Sequence, residues 1–130
     1  MTEAKPQPTP IVTSLKLTVD GSTVFHDPTL YRQTIGALQY LTFTRPDITY
    51  AVNKVSQYMH NPQIHHWKVV KRLLWYVAGT RAFGIRFTSS TNQSIHGFAD
   101  ADWGADIDDR KSTTGCVYLG DNIVSWSSKK

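Results

Sequence analysis

Asp100 and Asp102 stand two residues apart in the run His96-Gly-Phe-Ala-Asp-Ala-Asp-Trp-Gly104. Side chains alternate along a strand, so on a strand both carboxylates face one side. Two such charges repel each other until a cation or an arginine neutralises them. Magnesium held this way activates water and stabilises a leaving oxygen, which is the chemistry of two-metal phosphodiester hydrolysis. The plainer alternative is a solvated pair at a strand end, and spacing alone favours it. A calcium loop of EF-hand type is excluded. Gly104 falls at loop position five instead of six, and Lys111 occupies position twelve, where glutamate is required.

Other reactive residues point to less. His60, His65 and His66 invite zinc, but the single cysteine, Cys116, is remote and no second ligand pair shows metal spacing. No nucleophile motif supports a Ser-His-Asp triad. Cys116 alternates into a strand as a small hydrophobe. Lys68, Lys71 and Arg72 gather on one face of a helical pattern, with Arg81 and Arg86 beyond it. Such a face suits a phosphate backbone, bound without regard to sequence and weakened by salt. Tyr58, Trp75 and Tyr76 could stack on bases, though a place in the core is their commoner use.

These residues need elements to hold them. Residues 1–28 read as an extended linker, with Pro6, Pro8 and Pro10 opposing regular structure and a short edge strand over 15–19. Helical spacing of Tyr31, Ile35, Leu38 and Leu41 follows Asp27-Pro28 as a start signal. Gly36-Ala37 leaves a small surface on that helix. A second helix carries Ile48, Val52, Val55 and Met59 after Thr44-Arg-Pro-Asp47. A third is expected to take Asn61 as cap and Pro62 as first residue, to bury Trp67, Val70, Leu74 and Val77, and to stop at Gly79. From residue 83 the period becomes two. Strands are expected over 84–88, 95–103, 115–119 and 123–126, with Gly120-Asp-Asn122 closing a hairpin. The fold class is therefore α+β: a linker over 1–28, a helical segment of three helices over about 29–80 within 29–82, and antiparallel strands over 83–130.

Composition narrows the setting. A hydrophobic content of 40% is ample for a core, and no apolar run reaches the ~20 residues of a membrane span. The N-terminus lacks the apolar stretch of a secretory signal, and one cysteine excludes an internal disulfide. An intracellular place, cytoplasm or nucleus, is expected. The net charge of +4 is unevenly spread. Residues 45–86 hold seven Lys or Arg against one Asp, whereas residues 96–130 hold six Asp against four bases. A basic middle could track phosphates while an acidic end holds divalent metal.

Taken together, the motifs resemble a known family. Tyr31-Arg-Gln-Thr-Ile-Gly-Ala-Leu-Gln-Tyr-Leu41, Thr44-Arg-Pro-Asp-Ile48, Ala51-Val-Asn53, His66-Trp67, Lys71-Arg-Leu-Leu-Trp-Tyr76 and Gly79-Thr80 resemble the region after the reverse transcriptase in copia-type LTR retrotransposon Pol polyproteins, plant elements in particular. Asp100-Ala-Asp-Trp-Gly104, Asp109-Arg-Lys-Ser-Thr-Thr-Gly115 and Ser125-Trp-Ser-Ser-Lys129 resemble the opening of that family's RNase H domain. The match spans about residues 28–130, and many spaced motifs in one order make it specific.

The resemblance implies a helical connection lying along RNA–DNA hybrid or duplex, then the first strands of an incomplete RNase H-like sheet. It implies that Asp100 is a magnesium ligand of the intact family enzyme, vestigial here; Asp102 carries no such implied role. The family's next ligand is a Glu on a helix after the Trp-Ser-Ser-Lys stretch, with aspartates beyond, and these 130 residues do not reach it. The polymerase signature Tyr-x-Asp-Asp is also absent from them, since Asp108-Asp109 belongs to a loop. The expectation is a polyprotein fragment without polymerase or nuclease activity alone, needing no cofactor of its own. The alternative is a nucleic-acid-binding module using Lys68, Lys71 and Arg72. Its partners would be nucleic acid and the rest of a Pol polyprotein; a third expectation is strand pairing with an intact partner through an exposed sheet edge.

Overall fold

Asp27 starts the first helix as its spacing predicts: its Oδ1 accepts the Leu30 N–H at 2.8 Å, and Pro28 is the first helical residue. The computed structural model describes residues 6–12, 14, 16–19, 21–100 and 113–129, with Asp100, Thr113 and Lys129 as backbone alone. Their order is α1 (Pro28–Leu41), a 3-10 turn (Pro46–Ile48), α2 (Thr49–Ser56), α3 (Ile64–Gly79), β1 (Ile95–Asp100), β2 (Thr113–Leu119) and β3 (Asn122–Lys129). Helices followed by an antiparallel sheet make the α+β class. The chain divides into two units, Met1–Phe83 and Gly84–Lys130. Among the described residues no helix is long and apolar enough to cross a membrane.

In the first unit the apolar stripes meet. Tyr31, Ile35 and Leu38 of α1 are buried with Ile48, Val52 and Val55, while Leu41 and Met59 pack at the margin. The Tyr31 hydroxyl donates to the Val55 carbonyl at 2.8 Å, so a phenol can sit in the core without an orphaned proton. Burial pushes its pKa up, with Tyr58 adding to the shift.

α3 begins later than Asn61-Pro62 suggests, and the reason is tertiary. The Pro62 carbonyl accepts the Phe25 N–H at 2.8 Å, and the Ile64 N–H donates to the Thr23 carbonyl at 2.9 Å. This bridge holds Gln63 extended, at φ −111° and ψ 166°, so Gln63 becomes the cap. The buried side of α3 is turned from the expected stripe. His66, Val69, Val70, Leu73 and Tyr76 are buried, while Trp67, Leu74 and Val77 are partly so. Only Val70 is common to both sets of fully buried residues.

The segment expected as an extended linker lies against this unit, with bends at 8–11 and 21–22. Leu17 and Phe25 join the core, Phe25 stacks on Trp67 at 4.8 Å, and the Leu17 carbonyl accepts the Tyr58 hydroxyl at 2.9 Å. Among the described residues of 15–19 there is no strand.

In the second unit β1 pairs with β2 and β2 with β3, all antiparallel, in the order β1-β2-β3. The expected strand over 84–88 is absent. The Thr88 N–H donates to Asn122 Oδ1 at 2.8 Å and the Asn122 Nδ2 donates to the Thr88 carbonyl at 2.9 Å. A side-chain amide thus takes the place of a neighbouring strand. His96, Phe98 and Asp100 are opposite Tyr118, Cys116 and Thr114, with Phe98 edge-on to Tyr118 at 5.9 Å. Every buried hydrophobic among the described residues belongs to the first unit, so this sheet has no core of its own there.

The hairpin turn depends on Gly120. Its φ is +57°, and a β-carbon there would collide with the Asn92 carbonyl, while its N–H donates to the Ser94 carbonyl at 2.8 Å. Gly120→Ala therefore combines the left-handed penalty, about 1 kcal/mol, with a backbone clash. Amide hydrogen exchange should show β2 and β3 losing at least tenfold protection. Unchanged protection would contradict this geometry.

Candidate nucleic-acid interface

α3 carries Lys68, Lys71 and Arg72 and no acidic residue. Spacings of three and four place them on neighbouring turns of one side. All three lie on α3, with unequal access. Lys68 is exposed, Lys71 half-buried, and Arg72 half-buried. The Arg72 Nη2 donates to Thr9 Oγ1 at 2.9 Å, and its Nε is buried with no partner among the described residues. Arg81, also exposed, follows in the same unit; exposed Arg86 lies in the other.

The aromatic candidates separate. Tyr58 and Tyr76 are core residues with their hydroxyls engaged, and they present no stacking face. Trp75 is half-buried on the helix turn after Arg72.

His66 belongs to the framework. Its Nδ1 accepts the Gln63 N–H at 3.1 Å, which fixes the proton on Nε2, and Nε2 donates to the Thr18 carbonyl at 3.0 Å. The ring is fully buried and stacks on Tyr58 at 3.9 Å. Burial depresses its pKa to about 4 against the pull of the Thr18 carbonyl, and neighbouring His65 adds to the depression. His65 Nδ1 accepts from the Ser22 hydroxyl at 2.6 Å, and His60 is exposed. No group of three or more His, Cys, Asp or Glu that could hold a metal lies together among the described residues.

Asp100 ends β1, its backbone opposite Thr114. Its side chain, Asp102 and Asp108-Asp109 lie outside the described residues.

A charged cluster that sequence reasoning did not single out as a unit sits at the end of α3. Arg45, 4% exposed, grips Asp47 with two bonds, Nε to Oδ1 at 2.9 Å and Nη2 to Oδ2 at 2.7 Å. Its Nη1 donates to the Thr80 carbonyl at 3.0 Å, and Nη2 also donates to Thr80 Oγ1 at 2.8 Å. The Tyr76 hydroxyl donates to Asp47 Oδ2 at 2.8 Å. Arg45 holds the Asp47 carboxyl below the usual range against the effect of burial, with the Tyr76 hydroxyl adding to it. The available signal was Arg45-x-Asp47 together with Tyr76 and Thr80 at i and i+4, but their meeting is a tertiary fact.

No family model matches the chain, and no solved structure matches it. Among known proteins it is 53% identical over 131 residues to the "Retrovirus-related Pol polyprotein from transposon RE2" of Arabidopsis thaliana, covering 100% of this chain and 9% of that protein. The chain belongs to the copia-type retrotransposon Pol family. The corresponding Pol polyprotein from transposon TNT 1-94 of Nicotiana tabacum is 38% identical over 137 residues, with 99% of this chain and 10% of that protein covered. An uncharacterized mitochondrial protein of Arabidopsis thaliana is 46% identical over 132 residues, and the match covers 54% of its length. The chain thus spans about a tenth of the Pol relatives. Within this Pol segment, Arg45, Asp47, Tyr76 and Thr80 form a structural lock, and Lys68 is the exposed cation of α3.

Proposed function

We propose that this chain is the part of a Pol polyprotein joining the reverse transcriptase to its RNase H, with no cleavage of its own. The supporting observation is the order of its two units: a helical unit that presents an acid-free cationic helix precedes a sheet whose first strand ends at Asp100. In the intact family enzyme Asp100 would serve as one magnesium ligand. A two-metal site needs several carboxylates around the same ions. Asp100 alone would not make such a set, and no cleavage step is assigned to this chain. Incubated with magnesium and an RNA–DNA hybrid, the purified protein should leave the RNA strand intact, and so should Asp100→Asn. Cleavage that disappears in Asp100→Asn would overturn the proposal.

A second reading is favoured by one observation: Lys68 is exposed on a helix that offers no carboxylate to neutralise it. On this reading α3 binds phosphate backbone of hybrid or duplex through Lys68 and Lys71, with Arg72 as a third cation. Lys68→Ala/Lys71→Ala should weaken hybrid binding at low salt by about tenfold, roughly 0.7 kcal/mol for each charge. Equal affinity in the variant and the parent, measured by fluorescence anisotropy, would remove this reading.

A further inference from the structure

Arg72 is covered by the chain's own N-terminal segment. Lys68, Arg72, Trp75 and Gly79 fall at i, i+4, i+7 and i+11 of α3, which places them along one side. The proline-rich segment Pro6-Gln-Pro-Thr-Pro10 touches that side at two points. Thr9 Oγ1 accepts from Arg72, and Pro6 lies so close to Gly79 that a β-carbon there would stand 2.7 Å from the Pro6 Cβ.

The segment is tethered firmly at one end and weakly along its length. Ile11 packs at the core margin and Leu17 is buried. Pro6, Pro8 and Thr9 are exposed, and the side-chain hydrogen bond that ties this stretch to α3 is the one at Thr9. Residues 6–11 contain no acid, so they cover the Arg72 guanidinium without neutralising it. Its Nε is left buried and unpartnered among the described residues. A buried donor without an acceptor is costly, and a phosphate oxygen would relieve it with a charge-assisted bond.

We propose that residues 6–10 form a strap competing with phosphate for Arg72, so that a nucleic-acid backbone gains this third cation only by displacing Pro6 and Thr9. The proposal rests on the reading of α3 as the phosphate-binding face. In the closed chain Lys68 and Lys71 make first contact and Arg72 is withheld. Once the strap leaves, the guanidinium can turn to the backbone, and the tether through Ile11 keeps the strap nearby to close again. The gain on opening is limited to what the strap withholds, about one charge-assisted bond less the lost Thr9 contact.

The test uses the full chain and a fluorescently labelled RNA–DNA hybrid at low salt. Gly79→Ala adds a methyl where Pro6 sits and improves helix propensity, so it should open the strap without unfolding α3. It is expected to tighten hybrid binding about fivefold. Thr9→Ala should shift affinity the same way by a smaller factor, with no steric demand. Arg72→Ala should abolish the gain of Gly79→Ala, so that the double variant binds no tighter than Arg72→Ala alone. The strap is overturned if Gly79→Ala and Thr9→Ala bind no tighter, or if Arg72→Ala weakens parent and Gly79→Ala by one common factor. If either result comes while Lys68→Ala/Lys71→Ala still weakens binding, the strap alone fails and the binding face stands. If nothing binds the hybrid, both fail.

Discussion

Replacing Arg45 with alanine should lower the stability of the helical unit by about 2–3 kcal/mol, measured by urea unfolding. The side chain is 5% exposed, and it satisfies both Asp47 oxygens together with the carbonyl and hydroxyl of Thr80. Its loss leaves Asp47 with the Tyr76 hydroxyl, and Thr80 with the Phe83 N–H and the Tyr76 carbonyl, as remaining partners. A fully buried pair broken on one side costs about 3–5 kcal/mol. Asp47 is 34% exposed, so water takes up part of the abandoned carboxylate and the cost falls below that range. Arg45→Lys should recover less than half, because an ammonium is a point donor and cannot bridge carboxylate and Thr80 together. A loss under about 1 kcal/mol in Arg45→Ala would show that the lock contributes little.

The second large effect is acid destabilisation through His66. In the unfolded chain this imidazole titrates near the ordinary value of 6.5, whereas in the fold it stays neutral down to about 4. Between those values the unfolded chain binds the proton and the folded one does not. Stability is therefore fully present above pH 6.5, falls as pH drops toward 4, and levels off below, the total being about 3 kcal/mol at most. Protonation also removes the acceptor for the Gln63 N–H at the start of α3. Asp47 adds a separate loss at lower pH. Its folded pKa lies below the ordinary 3.8, so its contribution is present above that value and disappears as pH falls through the folded one. His66→Leu should cost stability at neutral pH and flatten the slope between pH 6.5 and 4. An unchanged slope would mean that another group carries the acid transition.

How far the residues reveal the fold depends on whether a signal is local. Asp27-Pro28 marks α1 because the cap and its recipient, Leu30, are neighbours in sequence. The stripe Ile48, Val52, Val55 is legible for the same reason, and so is the β2–β3 hairpin around Gly120. The start of α3 is not legible. Asn61-Pro62 has the right chemistry for a cap, and a bridge to residues 23–25 overrides it. Its buried side, His66, Val69, Val70, Leu73 and Tyr76, differs from the apolar stripe because it includes two polar rings. Each buries its ring by giving the polar end a distant partner, Thr18 in one case and Asp47 in the other. Alternation over 84–88 suggested a strand, but alternation states a preference for a sheet and cannot supply the neighbour. The cationic side of α3 was legible from spacing alone. That Arg72 is held by Thr9, 63 residues earlier, was not.

The measurement that goes furthest is the salt dependence of RNA–DNA hybrid binding by the full chain and by Lys68→Ala/Lys71→Ala. If α3 grips the phosphate backbone, log affinity falls linearly with log salt, with each phosphate contact contributing about 0.9 to the slope. The double variant should then show a slope shallower by about two contacts. A salt-independent affinity, or one slope shared by parent and variant, would contradict a phosphate-binding role for this helix.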